Sequence, residues 1–226
     1  MKSFSEFNNM INPNPNTATN RNPLFKRKIE LLETIKTGHD CHWSWWVFPQ
    51  STIQGRQHPE YNLTHEQYNA ISEYIGNNDG NTDLVNFIKY FLIVCNAVMY
   101  NLIYINKNLY TIMGKTLADV SKFMAAVLGF YCCLYKNNSL YKFFELVFII
   151  GYHNNGIPVD DNGVPIWDLN RSLNTQIEQM PTFPKKYELY FTIINRENIT
   201  LSDLQMRIIN INSNPEYEKY LYCIYE

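Results

Sequence analysis

Apolar positions recur at helical spacing along most of the chain. After Pro23, the residues Leu24, Phe25, Ile29, Leu32 and Ile35 share one face, while Lys26, Arg27, Lys28, Glu30, Glu33 and Lys36 take the others. This pattern predicts an amphipathic helix, ended by Gly38, which can adopt the positive φ of a C-terminal cap. Tyr68, Ile71 and Ile75 form the stripe of a helix over 63–75, with Thr64 as N-cap and Gln67 as its capping-box partner. Asp83 is placed to cap a long apolar run over 84–105. Further helices are predicted over 117–136 and, behind Ser139, over 140–150. The run over 84–105 is long enough to invite a transmembrane reading. Lys89 and the amides of Asn86, Asn96 and Asn101 would then sit in hydrocarbon, so it reads better as the buried central helix of a bundle.

The pattern fails at both ends. Residues 1–22 are rich in Asn and broken by Pro13 and Pro15, which predicts an irregular arm, either covering a groove or solvated. Beyond Gly151, Asn162-Gly163 between apolar residues, with Pro158 and Pro165, predicts a turn or short hairpin. A strand over 187–194 and a helix over 201–211 would follow. The fold class expected is therefore mainly α. It comprises the arm over 1–22, a multihelical domain over 23–150 and a C-terminal α+β extension over 151–226 packed on it.

Composition narrows the function. With 46% hydrophobic and 18% charged residues, the chain of 226 residues has ample material for a core. A net charge of −2 lacks the basic footprint of a nucleic-acid binder, so no nucleic-acid partner is expected. Five sparse cysteines form no Cys-X-X-Cys pair, and the N-terminus lacks the apolar stretch of a signal peptide, so reduced thiols and a cytoplasmic location are expected, with no membrane partner. The excess of Asn, Ile, Lys and Tyr is what an AT-rich genome produces, such as that of a large DNA virus or an AT-rich microbe. For a viral chain the location would be the host cytoplasm.

Candidate chemistry concentrates in Gly38-His39-Asp40-Cys41-His42-Trp43-Ser44-Trp45-Trp46-Val47-Phe48-Pro49-Gln50, which holds three of the four tryptophans. Taken with the preceding helix, this stretch resembles the signature of the bacterial domain-of-unknown-function family 1810. Gly38, His42, Trp43, Trp45, Trp46, Val47, Phe48, Pro49 and Gln50 fall on the family pattern, while Cys41 stands where the family has Ser and Ser44 where it has Met. Gly114, Asp119, Lys122 and Phe143-Phe144 look like the family's second block, so the resemblance covers roughly residues 23–150. It implies an all-α multihelical fold and no established activity. Some bacterial members carry a calpastatin-like label, but no residue here gives physical support to protease inhibition.

Trp43, Trp45, Trp46 and Phe48 have two readings. They are core residues burying large rings, or some of them line a pocket and stack on a planar ligand while His42 and Gln50 hydrogen-bond at its edge. On the second reading the ligand is nucleotide-like, with Arg56 and Lys122 holding phosphate and Asp119 on the same helix as Lys122. If chemistry occurs, His42 is the residue to act as acid or base. A wholly structural reading has His42 capping the preceding helix. A third reading is a protein-interaction or inhibitory module using exposed aromatics, directed at a host factor if the gene is viral.

The residues specify no cofactor. His39, Cys41, His42, His58 and His65 match no standard zinc spacing, so no metal is expected. Gly114-Lys115-Thr116 looks like the end of a P-loop, but the glycine required five positions earlier is Leu109, so a helix-start loop is expected.

Overall fold

In a helix with no polar stripe, every side is available for burial, and such a helix takes the centre of a bundle. Helix α5 (Leu117–Leu134) has this composition and this position in the computed structural model, where every residue from Asp119 to Leu134 is buried. The structure describes residues 3–11, 48, 50–51, 62–74, 80–103, 105–135 and 140–180. Among them the other elements are α1 (Phe4–Ile11), β1 (Gln50–Ser51), β2 (Asn62–Leu63), α2 (His65–Ser72), α3 (Thr82–Ile103), α4 (Leu109–Ile112), α6 (Tyr141–His153) and α7 (Leu169–Gln179). The fold is mainly α and multihelical. Around α5 pack α6, α7, α2, α4 and β1, and α3 closes the bundle against α6, α1, α4 and α2.

Helix α3 was the sequence-based candidate for the centre, yet it is the less enclosed of the two long helices. Both are long and apolar enough to cross a membrane, and the protein itself buries 61% of the apolar window in α3 and 89% in α5. On α3, Val85, Asn86, Lys89 and Tyr90 are only partly buried and Tyr100 is exposed. Asn101, deep in the same helix, donates its side-chain amide to the Ala97 carbonyl at 3.0 Å. Aromatic rings join the layers: Phe130 of α5 lies 4.6 Å from Phe91 of α3 and 5.1 Å from Phe144 of α6, centroid to centroid.

Three local expectations need correction. The N-terminal arm is not irregular throughout, because Phe4–Ile11 forms α1. Ser3 and Glu6 make its capping box, the Ser3 N–H donating to the Glu6 carboxylate at 2.8 Å and the Glu6 N–H to the Ser3 hydroxyl at 3.2 Å. Phe4 and Phe7 pack on Phe87 of α3. The prolines that suggested an irregular arm come later, at 13 and 15. Second, the side chain that caps α3 is that of Asn81, which accepts the Leu84 N–H at 3.1 Å, and Asp83 instead lies in the first turn, where its charge suits the helix dipole. Third, α6 does not end before Gly151 but runs through it to His153. A Cβ there would lie 2.8 Å from Met124 Sδ of α5, so this glycine permits close helix packing and does not terminate the helix.

The capping box at Thr64 and Gln67 forms as expected and starts α2, with Tyr68 and Ile71 buried. Gly114 and Lys115 both take positive φ in the turn between α4 and α5, so this segment is a helix-start loop. Residues 157–166 form the expected hairpin. Val159 and Pro165 make an antiparallel bridge, and the Asp160 carboxylate accepts the N–H groups of Asn162 and Val164, both at 2.9 Å. Of the extension, α7 adds Leu169, Leu173, Ile177 and Met180 to the same core. The helix expected over 24–37, the strand over 187–194 and the helix over 201–211 lie outside the described residues.

Cys95, Cys132 and Cys133 are buried free thiols. Burial pushes the Cys95 and Cys133 thiols well above the ordinary value, with Cys132 adding to the effect on Cys133. A thiol whose folded pKa is raised retains its proton longer than the unfolded chain does. Stability is therefore complete below the unfolded thiol pKa of about 8.5 and falls as pH rises above it. Denaturant melts at pH 7.5 and pH 10 should show this loss, reduced in Cys95→Ala/Cys133→Ala relative to that mutant's own pH 7.5 value. An unchanged slope in the double mutant would refute the assignment.

Candidate functional site

The end of the aromatic stretch reaches the central helix. Phe48 is 1% exposed and meets Phe123 of α5 edge to face, with centroids 5.4 Å apart. Two residues later Gln50 opens β1, which pairs in parallel with β2 in the register Gln50↔Asn62 and Ser51↔Leu63. The pair brings Asn62 and Leu63 into the interior, both buried. The amide nitrogen of Asn62 has no hydrogen-bond partner among the described residues. A buried donor in that state costs about 1–3 kcal/mol relative to one that is satisfied.

Helix geometry places Asp119 one turn before Phe123 on the same face. Asp119 and Lys122 are 4% and 6% exposed, and the Lys122 ammonium lies 2.6 Å from Asp119 Oδ1. Removing two such charges from water costs several kcal/mol per ion, which their attraction offsets only with good geometry. Among the described residues these are the buried charged side chains. Phe48 thus meets α5 at Phe123, one turn beyond Asp119, and β1 packs on the same helix. His42, Trp43, Trp45 and Arg56 lie outside the described residues. Phe48 itself is core packing: its ring is enclosed.

This region offers an ammonium and a carboxylate on α5 and a buried amide donor on β2. It can hold a polar ligand by hydrogen bonding and charge. The described thiols Cys95 and Cys133 are poor nucleophiles, because burial keeps them protonated.

A second concavity went unnoticed in the sequence. It is a half-open cleft of about 330 Å³ between the end of α6, the hairpin and the start of α7, lined by Tyr152, Asn155, Trp167, Asp168 and Asn170 among others. The Trp167 indole N–H donates to Ser121 Oγ at 2.8 Å, tying the cleft to α5 between Asp119 and Lys122 in sequence. The available signal was the fourth tryptophan, placed next to a turn-rich segment without any apolar periodicity to account for it.

The chain matches no family model, no curated protein and no solved structure.

Proposed function

We propose that the protein is a small-molecule-binding domain whose site lies where the segment 42–50 meets α5. The observation that carries this reading is the buried Asp119–Lys122 pair within one turn of Phe123, the α5 residue that Phe48 meets. Buried charge pairs contribute little net stability compared with apolar residues of similar size, so their presence here favours a role in recognition. The amide of Asn62, in register with Gln50 and without a partner among the described residues, supplies a donor for the same ligand. A nucleotide-like compound suits the combination, with its ring on the tryptophans of the segment and its phosphate at Lys122 and Arg56. His42 is the acid or base if turnover occurs. The resemblance to family 1810 belongs to this reading, since its signature residues are those of the segment, and so does a cytoplasmic location.

A thermal-shift screen with nucleotides, nucleosides and NAD-derived metabolites tests it. A ligand at a hundred times its Kd adds about 2.7 kcal/mol, a rise of several degrees in Tm. The rise should be lost in His42→Ala and in Lys122→Met, each compared with its own unliganded Tm. If no compound raises Tm, or if both variants respond as wild type does, the site is not where we place it.

The alternative is a protein-interaction module. It is favoured by the exposed Val159, Val164 and Ile166 on the braced hairpin, which hold apolar side chains in solvent at 53–56% exposure.

A further inference from the structure

We propose that the cleft between α6 and α7 is a second, separate binding site, for an uncharged heteroaromatic ring of the nucleobase class without phosphate. Trp167 and Tyr152 both line the cleft, and Trp167 is 39% exposed although its ring is large and apolar. The Trp167 ring is held by its hydrogen bond to Ser121, a buried residue of the central helix. Tyr152 is fixed at both ends. Its ring stacks on Phe148 with centroids 6.0 Å apart and planes at 14°, and its hydroxyl donates to Asn170 Oδ1 at 2.7 Å. The walls are therefore set before a ligand arrives, which lowers the ordering cost of binding. A cleft of about 330 Å³ falls within the range of small-molecule sites.

The polar groups narrow the ligand further. Asp168 caps α7 by accepting the Arg171 N–H on Oδ1 at 2.9 Å, while its second carboxylate oxygen accepts no bond from the described residues. Leu169, the first residue of α7, carries a backbone N–H that the helix leaves without a partner. An acceptor next to a donor complements a heterocycle edge that bears an N–H or amino group beside a carbonyl or ring nitrogen. Asp168 is the charged residue of the lining and it is acidic, so a phosphate is repelled. An organic cation would suit the carboxylate and the indole face but would leave the Leu169 N–H donor unused, so tetramethylammonium is the competing occupant in the test. Stacking on an indole is the interaction that every base can make.

The test is a titration of the full chain followed through the indole N–H signals in ¹H–¹⁵N spectra, with the Trp167 signal assigned by its loss in Trp167→Phe. The probes are adenosine, guanosine, cytidine and uridine, their 5′-monophosphates, and tetramethylammonium. At least one nucleoside should move the Trp167 signal saturably and bind about tenfold more tightly than its monophosphate. Asp168→Asn retains a good cap and should weaken that nucleoside by about tenfold, the loss of one hydrogen bond to a charged group. His42→Ala should leave this binding unchanged, which separates the cleft from the site at segment 42–50. The proposal is overturned if no nucleoside moves the signal at millimolar concentration, or if tetramethylammonium alone moves it. Equal binding of the monophosphate, or of the nucleoside to Asp168→Asn, would also overturn it.

Discussion

Replacing Phe130 by alanine should destabilise the protein by roughly 3–5 kcal/mol, the range for deleting a fully enclosed aromatic ring. Phe130 is 0% exposed and sits where three helices meet. Its ring contacts Phe91 and Phe87 of α3 and Phe144 of α6, at centroid distances of 4.6, 6.1 and 5.1 Å. Alanine removes the transfer free energy of the ring and leaves a cavity that three rigid aromatic neighbours and the α5 backbone cannot fill. Tertiary contacts of this kind also help to hold α3 beside α5, so the loss acts on two long helices together. Urea melts should show a lower midpoint at an unchanged slope, and Tm should fall by about 10 °C. Phe130→Leu, which retains most of the volume, should cost less than half as much. A loss below about 1 kcal/mol for the alanine variant would show that Phe130 is not at the centre of the core.

Lys122→Met should be as damaging for a different reason. The methionine fits the same apolar surroundings, but Asp119, 4% exposed, loses the ammonium at 2.6 Å. Breaking a buried pair from one side costs roughly 3–5 kcal/mol, because the remaining buried ion loses its compensating charge. Asp119→Leu/Lys122→Met removes both charges and should recover most of the loss, giving a strongly non-additive double-mutant cycle. Additive costs, or a single mutant within 1 kcal/mol of wild type, would mean that water reaches the pair. The cycle also bears on function: if the double mutant is as stable as wild type and no longer responds to any ligand, the pair serves recognition.

Much of the helical architecture could be read from one-dimensional signals. Thr64 and Gln67 announce the start of α2, since a capping box is a contact within four residues. The Ser3–Glu6 box is equally local, although asparagines and prolines that break helical periodicity follow it closely. The turn at Asp160–Gly163 follows from the side-chain chemistry of Asp160 and from glycine at φ +79°. The candidate site was legible only in its parts. Asp119 and Lys122 are three apart on a helix and meet by helical geometry alone. That Phe48 approaches Phe123, or that β1 finds β2, involves residues far apart in sequence.

The sequence by itself therefore determined the mainly α class, the principal described helices and the hairpin, because each depends on periodicity or on contacts a few residues apart. Only the tertiary structure decided which long helix is central, that Gly151 serves packing and not capping, and that Asn62 lies buried beside Gln50. It also formed the cleft where Trp167 reaches back to Ser121. Those outcomes depend on how apolar faces are shared among helices and on close approach between distant segments. A hydropathy pattern records that a face must be buried, but not which neighbour buries it.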